Sequence, residues 1–385
     1  MKILAFSQSG TMNGGANRSF LMVLENLKTK YGHEIKVVTP GYGVLNDELH
    51  KRGIETVVTP YNEISGVSSL SLINIYRWLR FHWYCLQDKK SAAKLVKDLQ
   101  KESFDLVYIN DTDVYFGVFV AQLLNVPYVW HFRSYVDPKG HFVFGARGIY
   151  GRSARIIAIS HGMEKTLLEN PLMPHEKITV IHNGIPLSEN AMLSARARAD
   201  GLHMVQCGRI SEEKGHRDAI NALAILKNEG KQDIYLHIVG AALDGKGGAY
   251  LGSLKELITK YGLDSQVIFE GTINDMPSFR VNMHVELMCS VSEPFGRVTL
   301  EGMRSGLTVI GSNTGGTPEI ITDGQTGLLY KQGDPSDLAS KIRAVYENEE
   351  YAQKLASNAV EFSATHFTPE QNVAAIEQTL CDALK

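Results

Sequence analysis

The sequence predicts an α/β protein of two domains, each a parallel sheet covered by helices. Short β-rich runs alternate with helical patterns through both halves, the order that gives parallel sheets. A chain of 385 residues suits two domains, each able to bury its own core. In both halves the first strand runs into a glycine-bearing loop and then a helix, at Gly14-Gly15 and at Gly208 to Gly215.

Composition narrows the class. Hydrophobic residues make up 44% and charged residues 21%, ordinary for a globular protein. A net charge of −3 argues against a nucleic-acid partner. Cys85, Cys207, Cys289 and Cys381 lie far apart in apolar settings, with no CxxC, so reduced thiols and no metal site are expected. Met1 to Phe6 reads as a first strand rather than a signal peptide, and no apolar run reaches spanning length. The expected location is cytoplasmic.

The first strand, Ile3–Phe6, feeds the loop Ser9 to Asn17, and the next helix places Phe20, Leu24 and Leu27 on one face. Strand, glycine loop, helix lets backbone amides approach a diphosphate. The loop is not GxGxxG, and a glycine pair alone is more often only a turn. Further strands are expected at Ile35–Thr39, Thr56–Thr59, Leu106–Ile109, Tyr128–Trp130 and Ala154–Ser160. Residues 70–101 interleave aromatics with Arg77, Arg80, Lys89, Lys90, Lys94 and Lys97. A core helix packing its aromatics on the sheet is the favoured reading. The competing one is a membrane-surface contact through residues 73–97. Asn110-Asp111-Thr112-Asp113 reads as a strand-end loop facing a cleft, not a metal motif. His131 and Arg133 end another strand on the side where open α/β sheets bind ligands. Asn183-Gly184-Ile185-Pro186 marks a turn, and 188–200 reads as a linker.

The second half repeats the pattern, with strands at Met204–Cys207, Tyr235–Val239, Val267–Glu270, Val285–Cys289, Thr308–Gly311 and Gly327–Tyr330. Arg209 and Lys214 flank the loop after its first strand, where two cations can reach one diphosphate. The glycine-rich loop Asp244 to Gly248 has no assigned role. Gly271-Thr272 ends another strand, and Asn313 to Glu319 is a further glycine loop. Thr368, Pro369 and Gln371 form a capping box for a last helix with Val373, Ile376 and Leu380 as its apolar stripe.

The central stretch is Glu293-Pro294-Phe295-Gly296-Arg297-Val298-Thr299-Leu300-Glu301. Pro suits a first helical turn, so a helix is expected from near Phe295. Free amides at 296–299 would make an anion site, with Glu293 before the helix and Glu301 about two turns along it.

Glu-x7-Glu around Pro294-Phe295-Gly296, with Gly-Arg-x-Ser-x-Glu-Lys-Gly at 208–215, resembles the signature of retaining, nucleotide-sugar-dependent glycosyltransferases of family 4. The resemblance implies the GT-B fold: two Rossmann-like, doubly wound parallel-sheet domains facing a central cleft, the last helix crossing back to the first. Residues 1–185 with 366–385 would form the acceptor domain and 186–365 the donor domain. Glu293, Lys214, Arg209 and His131 would be catalytic, with His131 near the sugar's C6 hydroxyl. Glu293 would hold the sugar hydroxyls and Glu301 the ribose. Arg209, Lys214, Gly296, Arg297, Val298 and Thr299 would surround the diphosphate, with Phe295 in the same segment. Gly14 and Gly15 would close over it, and Gly271 and Thr272 would meet the base. Asn17, Asp111 and Arg133 fall on the acceptor side. The implied co-substrate is a nucleoside-diphosphate sugar, UDP favoured, with no tightly bound cofactor. The implied acceptor is a glycan or lipid-linked hydroxyl in bacterial surface polysaccharide assembly. A nucleotide-sugar epimerase and a non-catalytic nucleotide-sugar-binding subunit remain as alternatives.

Overall fold

Every strand pairing is parallel, and the strands fall into two sheets. The computed structural model describes residues 1–12, 14–63, 72–135, 150, 152–170, 173–186, 198–242 and 246–385. Asn13, most of the expected linker at 188–200, residues 243–245 and the side chains of Ile73 and Arg77 lie outside the described residues. The chain divides into two units, Met1–Gly184 with Pro369–Lys385, and Ile185–Thr368.

The first unit holds β1 (Lys2–Phe6), β2 (Glu34–Thr39), β3 (Glu55–Val58), β4 (Leu106–Asn110), β5 (Tyr128–Phe132), β6 (Arg155–Ala158) and β7 (Ile178–Val180). Their order is β3-β2-β1-β4-β5-β6-β7. Every residue of β4 and β5 is buried, as unbroken apolar runs covered on both faces require. The order reverses between β1 and β4, and such a switch point opens a crevice at the carboxyl ends of the strands. Gly14-Gly15 and Asp111–Asp113 follow strands at that edge, and His131 and Arg133 straddle the end of β5. The strand β7 went unread in the sequence, because three residues at a sheet edge carry no periodicity.

The last helix, Pro369–Asp382, belongs to this first unit. It buries Val373, Ile376 and Leu380 in the core shared with Phe20, Leu24 and Leu27 of the helix Gly15–Tyr31. Polar contacts fix its register: Asn372 Nδ2 donates to the His182 carbonyl at 2.6 Å, and His33 meets Glu377 at 2.7 Å.

The second unit holds β8 (Leu202–Cys207), β9 (Ile234–Val239), β10 (Val267–Gly271), β11 (Val285–Met288), β12 (Thr308–Ser312) and β13 (Leu328–Tyr330). The order β10-β9-β8-β11-β12-β13 places the switch point between β8 and β11. From Lys246 the chain is already helical, so the far end of the expected Asp244–Gly248 loop is the start of the helix Lys246–Lys260.

The helix Leu72–Asp98 corrects one expectation. Phe81, Ala92 and Leu95 are buried, and Phe81 packs edge-on against Tyr115. Trp78 and Tyr84 are half-buried, but Tyr76, Leu79, Trp83 and Leu86 do not pack on the sheet: they are 55–65% exposed. Their spacing puts them on one face, and exposed Lys90, Lys94 and Lys97 continue it. Interleaved aromatics had hidden two faces, one narrow and buried, one wide and wet.

Ile376 is fully buried, so Ile376→Ala leaves a cavity between the last helix and the first. Chemical denaturation should show a loss of about 2–5 kcal/mol. A loss below ~1 kcal/mol would mean that this helix does not complete the first unit's core.

Candidate functional site

In the second unit β8 and β11 are direct neighbours, Met204 opposite Val285. The loops that follow them therefore leave the sheet at the same edge. Gly215 takes φ +66°, and a Cβ there would stand 1.9 Å from the Cys289 carbonyl oxygen. Only glycine lets the first loop lie against the end of β11. Gln206 Nε2 donates to the Lys214 carbonyl at 2.7 Å, and Val291 N–H to the Glu213 carbonyl at 2.8 Å. So held, Lys214 Nζ donates to Glu293 Oε2 at 2.7 Å. The same oxygen accepts from Ser290 Oγ at 3.1 Å. The Glu293 carbonyl accepts from Gly316 N–H at 2.8 Å. A Cβ on Gly316 would come within 2.8 Å of the Pro294 oxygen, so the loop after β12 closes directly on this segment. Arg209 is exposed and pairs with no acid among the described residues.

Lys214 and Glu293 are both partly exposed, and an ion pair of that kind is worth about 1 kcal/mol or less.

The helix after Glu293 starts at Arg297, not near Phe295. Gly296, at φ +100°, is the N-cap, which leaves Pro294 in the loop. The Thr299 N–H is taken by the Gly296 carbonyl at 3.0 Å, so the expected amide set at 296–299 is narrower. The Thr299 side chain is buried. Phe295 is buried too and packs edge-on against Phe367, so it is a packing residue. Val298 is half-buried in the first turn. Glu301 is the fifth helical residue, nearer one turn than two beyond the start. Arg280 Nη1 and Nη2 both lie 3.3 Å from its Oε2, and Arg297 lies 3.8 Å from its Oε1. Burial lowers the affinity of the Arg280 guanidinium for its proton, but Glu286, Cys207 and Glu301 together carry it above its ordinary value. Gly271 and Thr272 are exposed at the end of β10, where the Gly271 carbonyl accepts from Gly240 N–H at 2.7 Å.

In the first unit the strand ends carry a buried polar web. Asn17 is saturated: its Oδ1 accepts from Ser7 Oγ at 2.9 Å, and its Nδ2 reaches Ser9 and the Thr11 carbonyl. It pins the turn before Gly14 and Gly15, which are exposed at the helix start. Arg133 is buried and pairs with no carboxylate among the described residues. Its Nε donates to Asn110 Oδ1, its Nη1 to Asn183 Oδ1 at 2.7 Å, and its Nη2 to His131 Nδ1 at 3.3 Å. The Tyr108 hydroxyl lies closer to the same Nδ1, at 2.7 Å. Guanidinium nitrogens only donate, so both contacts are satisfied together when Nδ1 accepts and the ring proton sits on Nε2. That Nε2 is buried and has no hydrogen-bond partner among the described residues. Burial, then the Arg133 charge, holds His131 well below its ordinary range, so the ring is neutral.

Asp111 is buried at φ +83°, its carboxylate accepting from the Thr112 N–H at 2.7 Å and its carbonyl from Trp130 Nε1 at 2.9 Å. It braces the end of β4. Sequence reasoning missed Arg280, Glu286, Gln206, Ser290 and Asn183 as site-building residues. Glu286 carried a usable signal, since a lone carboxylate inside an apolar strand demands a cationic partner.

Two family models match the chain almost end to end. Glycosyltransferase Family 4 covers residues 13–189 and Glycosyl transferases group 1 covers residues 194–362. The chain is 26% identical to N-acetyl-alpha-D-glucosaminyl L-malate synthase of Bacillus anthracis, over 93% of this chain and 98% of that protein. It is 23% identical to a glycosyltransferase of Methanocaldococcus jannaschii, over 85% and 84%. Among solved structures, HepE of Anabaena in complex with UDP superposes with a TM-score of 0.79 at 24% identity, over 99% of this chain and all of that one. The fold and the two models together define a glycosyltransferase of the GT-B class. The chain belongs to glycosyltransferase family 4.

Asp113, beside the web, tests the electrostatics of this edge. Burial, then Asp111 and Glu63, raises its carboxyl from 3.8 to about 7. Between those values the native state keeps a proton that the unfolded chain has lost, so stability falls as pH rises through that window. Asp113→Asn should therefore be more stable than the parent at pH 8 and equal to it near pH 4, read by thermal melts. Equal stability at both pH values would show that Asp113 is solvated.

Proposed function

We propose that this protein transfers a sugar, with retention at the anomeric carbon, from a nucleoside diphosphate to a hydroxyl of a glycan or lipid-linked acceptor. UDP is the favoured donor nucleotide, in keeping with the UDP complex of the Anabaena neighbour. The observation that carries the reading is the 2.7 Å contact of Lys214 with Glu293 at the joint ends of β8 and β11. It puts a mobile cation and a fixed acid beside one helix start.

In this reading the donor's diphosphate draws Lys214 from Glu293, and Arg209 adds a second charge. The Glu293 carboxylate is then released to the sugar's hydroxyls, while Ser290 keeps it oriented. Glu301 takes the ribose diol, and Gly271-Thr272 borders the base. The bond from the anomeric carbon to the diphosphate oxygen breaks, and the acceptor oxygen bonds to that carbon from the same face. Its proton passes to a phosphate oxygen, and the nucleoside diphosphate leaves. Charge developing on the diphosphate is met by Lys214 and Arg209, the arrangement that lowers such barriers most. With Glu301 on the ribose, no carboxylate pair serves a double displacement. In the first unit, the unpaired His131 Nε2–H is the donor we assign to a sugar oxygen. Leaving it unsatisfied costs about 1–3 kcal/mol, which a ligand acceptor recovers.

The exposed face of the helix Leu72–Asp98 supports attachment to an anionic membrane surface, and hence a lipid-linked acceptor at the inner face of the cell membrane. Tyr76, Leu79, Trp83 and Leu86 would enter the headgroup layer while Lys90, Lys94 and Lys97 meet its charge. Among the described residues no helix is long and apolar enough to cross a membrane.

Lys214→Met and Glu293→Ala should each lower sugar transfer by about 10²-fold or more while the melting temperature holds. Full activity in either variant removes that residue from the site. Donor turned over without acceptor would favour an epimerase instead. Three lysines at about 1 kcal/mol each predict binding to phosphatidylserine vesicles about 100-fold tighter than to phosphatidylcholine vesicles. Trp83→Glu should abolish both; equal partitioning of parent and variant would remove the membrane from the account.

A further inference from the structure

We infer that Arg280 is a positioning residue that locks the Glu301 carboxylate in the orientation needed for a ribose diol, and so sets the preference for ribo- over deoxyribonucleotides. The inference rests on the reading that Glu301 receives the ribose. Arg280 ends the short helix Met276–Arg280, whose Asp275 cap accepts from the Ser278 N–H at 3.2 Å. The guanidinium is 2% exposed. Its Nε donates to Glu286 Oε2 at 2.8 Å, and Glu286, in β11, is itself buried. Both remaining nitrogens turn to Glu301 Oε2. A Cβ on Gly302 would come within 2.8 Å of the Glu286 Cβ, so the helix bearing Glu301 sits directly on the residue that anchors Arg280. Sheet, guanidinium and helix thereby form one rigid bracket.

A structural role alone does not account for this geometry. Glu286 already neutralises Arg280 in the core. The Glu301 side chain is 26% exposed and could hydrate without a partner. Two nitrogens nevertheless converge on one of its oxygens, fixing the rotation of the carboxylate. The 3.3 Å contacts are longer than tight charge-assisted hydrogen bonds, so they orient the group without using up its acceptor capacity. A diol donates one hydroxyl to each oxygen, which demands that rotation. A site built to accept from a hydroxyl rejects the analogue that lacks it.

The test is calorimetric binding of UDP and of 2′-deoxy-UDP. If ADP or GDP stabilises the parent more than UDP does, that nucleotide and its 2′-deoxy form are used instead. The parent should prefer the ribonucleotide by at least about 50-fold. Replacing Arg280 alone strands a buried carboxylate, so the informative protein is Arg280→Gln combined with Glu286→Gln, which leaves no unpaired charge. That double variant should lose at least about tenfold of the preference at an unchanged melting temperature. Arg280→Lys, which keeps the charge but not the fork, should fall between the two. Preference within twofold of the parent in both proteins overturns the inference. Glu301→Gln separates the two failures. If it loses the preference while the Arg280 variants keep it, only the positioning role falls. If it too keeps the preference, Glu301 does not read the ribose.

Discussion

The second unit depends on one close approach. The loop between β8 and its helix lies against the end of β11 so tightly that Gly215 has no room for a side chain. From that contact follow the place of Lys214, its bond to Glu293, and the exposure of Arg209 at the same edge. The parallel order of the sheet makes the approach possible, since β8 and β11 are neighbours whose connections run to opposite sides. A switch point in the strand order thus becomes a place where charged side chains from two loops meet.

The two units use charge differently. In the second, Lys214 and Glu293 stand partly exposed and paired, whereas Arg280 and Glu286 are paired and buried. In the first, Arg133 is buried among neutral partners, Asn110, Asn183 and the His131 ring. A buried cation without a carboxylate is expensive and persists only where hydrogen bonds satisfy it and rigidity is useful. Here it joins the Tyr108 hydroxyl at His131 Nδ1, which leaves the ring proton to Nε2.

Much of the architecture was legible because parallel strands buried on both faces read as unbroken apolar runs. Leu106–Ile109 and Tyr128–Trp130 announce themselves this way. Lys214 and Glu293 stood out in the sequence only because their segments resemble a family signature, and their meeting at 2.7 Å is what the structure adds. What stayed hidden has physical reasons. The Arg280–Glu286–Glu301 bracket joins residues from a short helix, a strand and a second helix, and no local spacing records that meeting. The bracing hydrogen bonds of Asn17 were hidden too, because Ser7, Ser9 and Thr11 meet it only once the loop has folded back on the helix start. The start of the Glu301 helix was misplaced because Pro294 suits a first turn, yet Gly296 in a left-handed conformation ends the loop two residues later. The aromatic helix misled for the opposite reason, since its residue types favour burial and its exposed stripe is visible only against the packed face.

The central claim is that Lys214, held beside Glu293, grips a nucleotide through its diphosphate. Calorimetric titration of UDP and of uridine into the parent and the Lys214→Met variant tests it directly. The account predicts that the variant loses at least about tenfold in affinity for UDP, one charge-assisted hydrogen bond's worth, while uridine binds both proteins alike. Equal UDP affinity in parent and variant would contradict it.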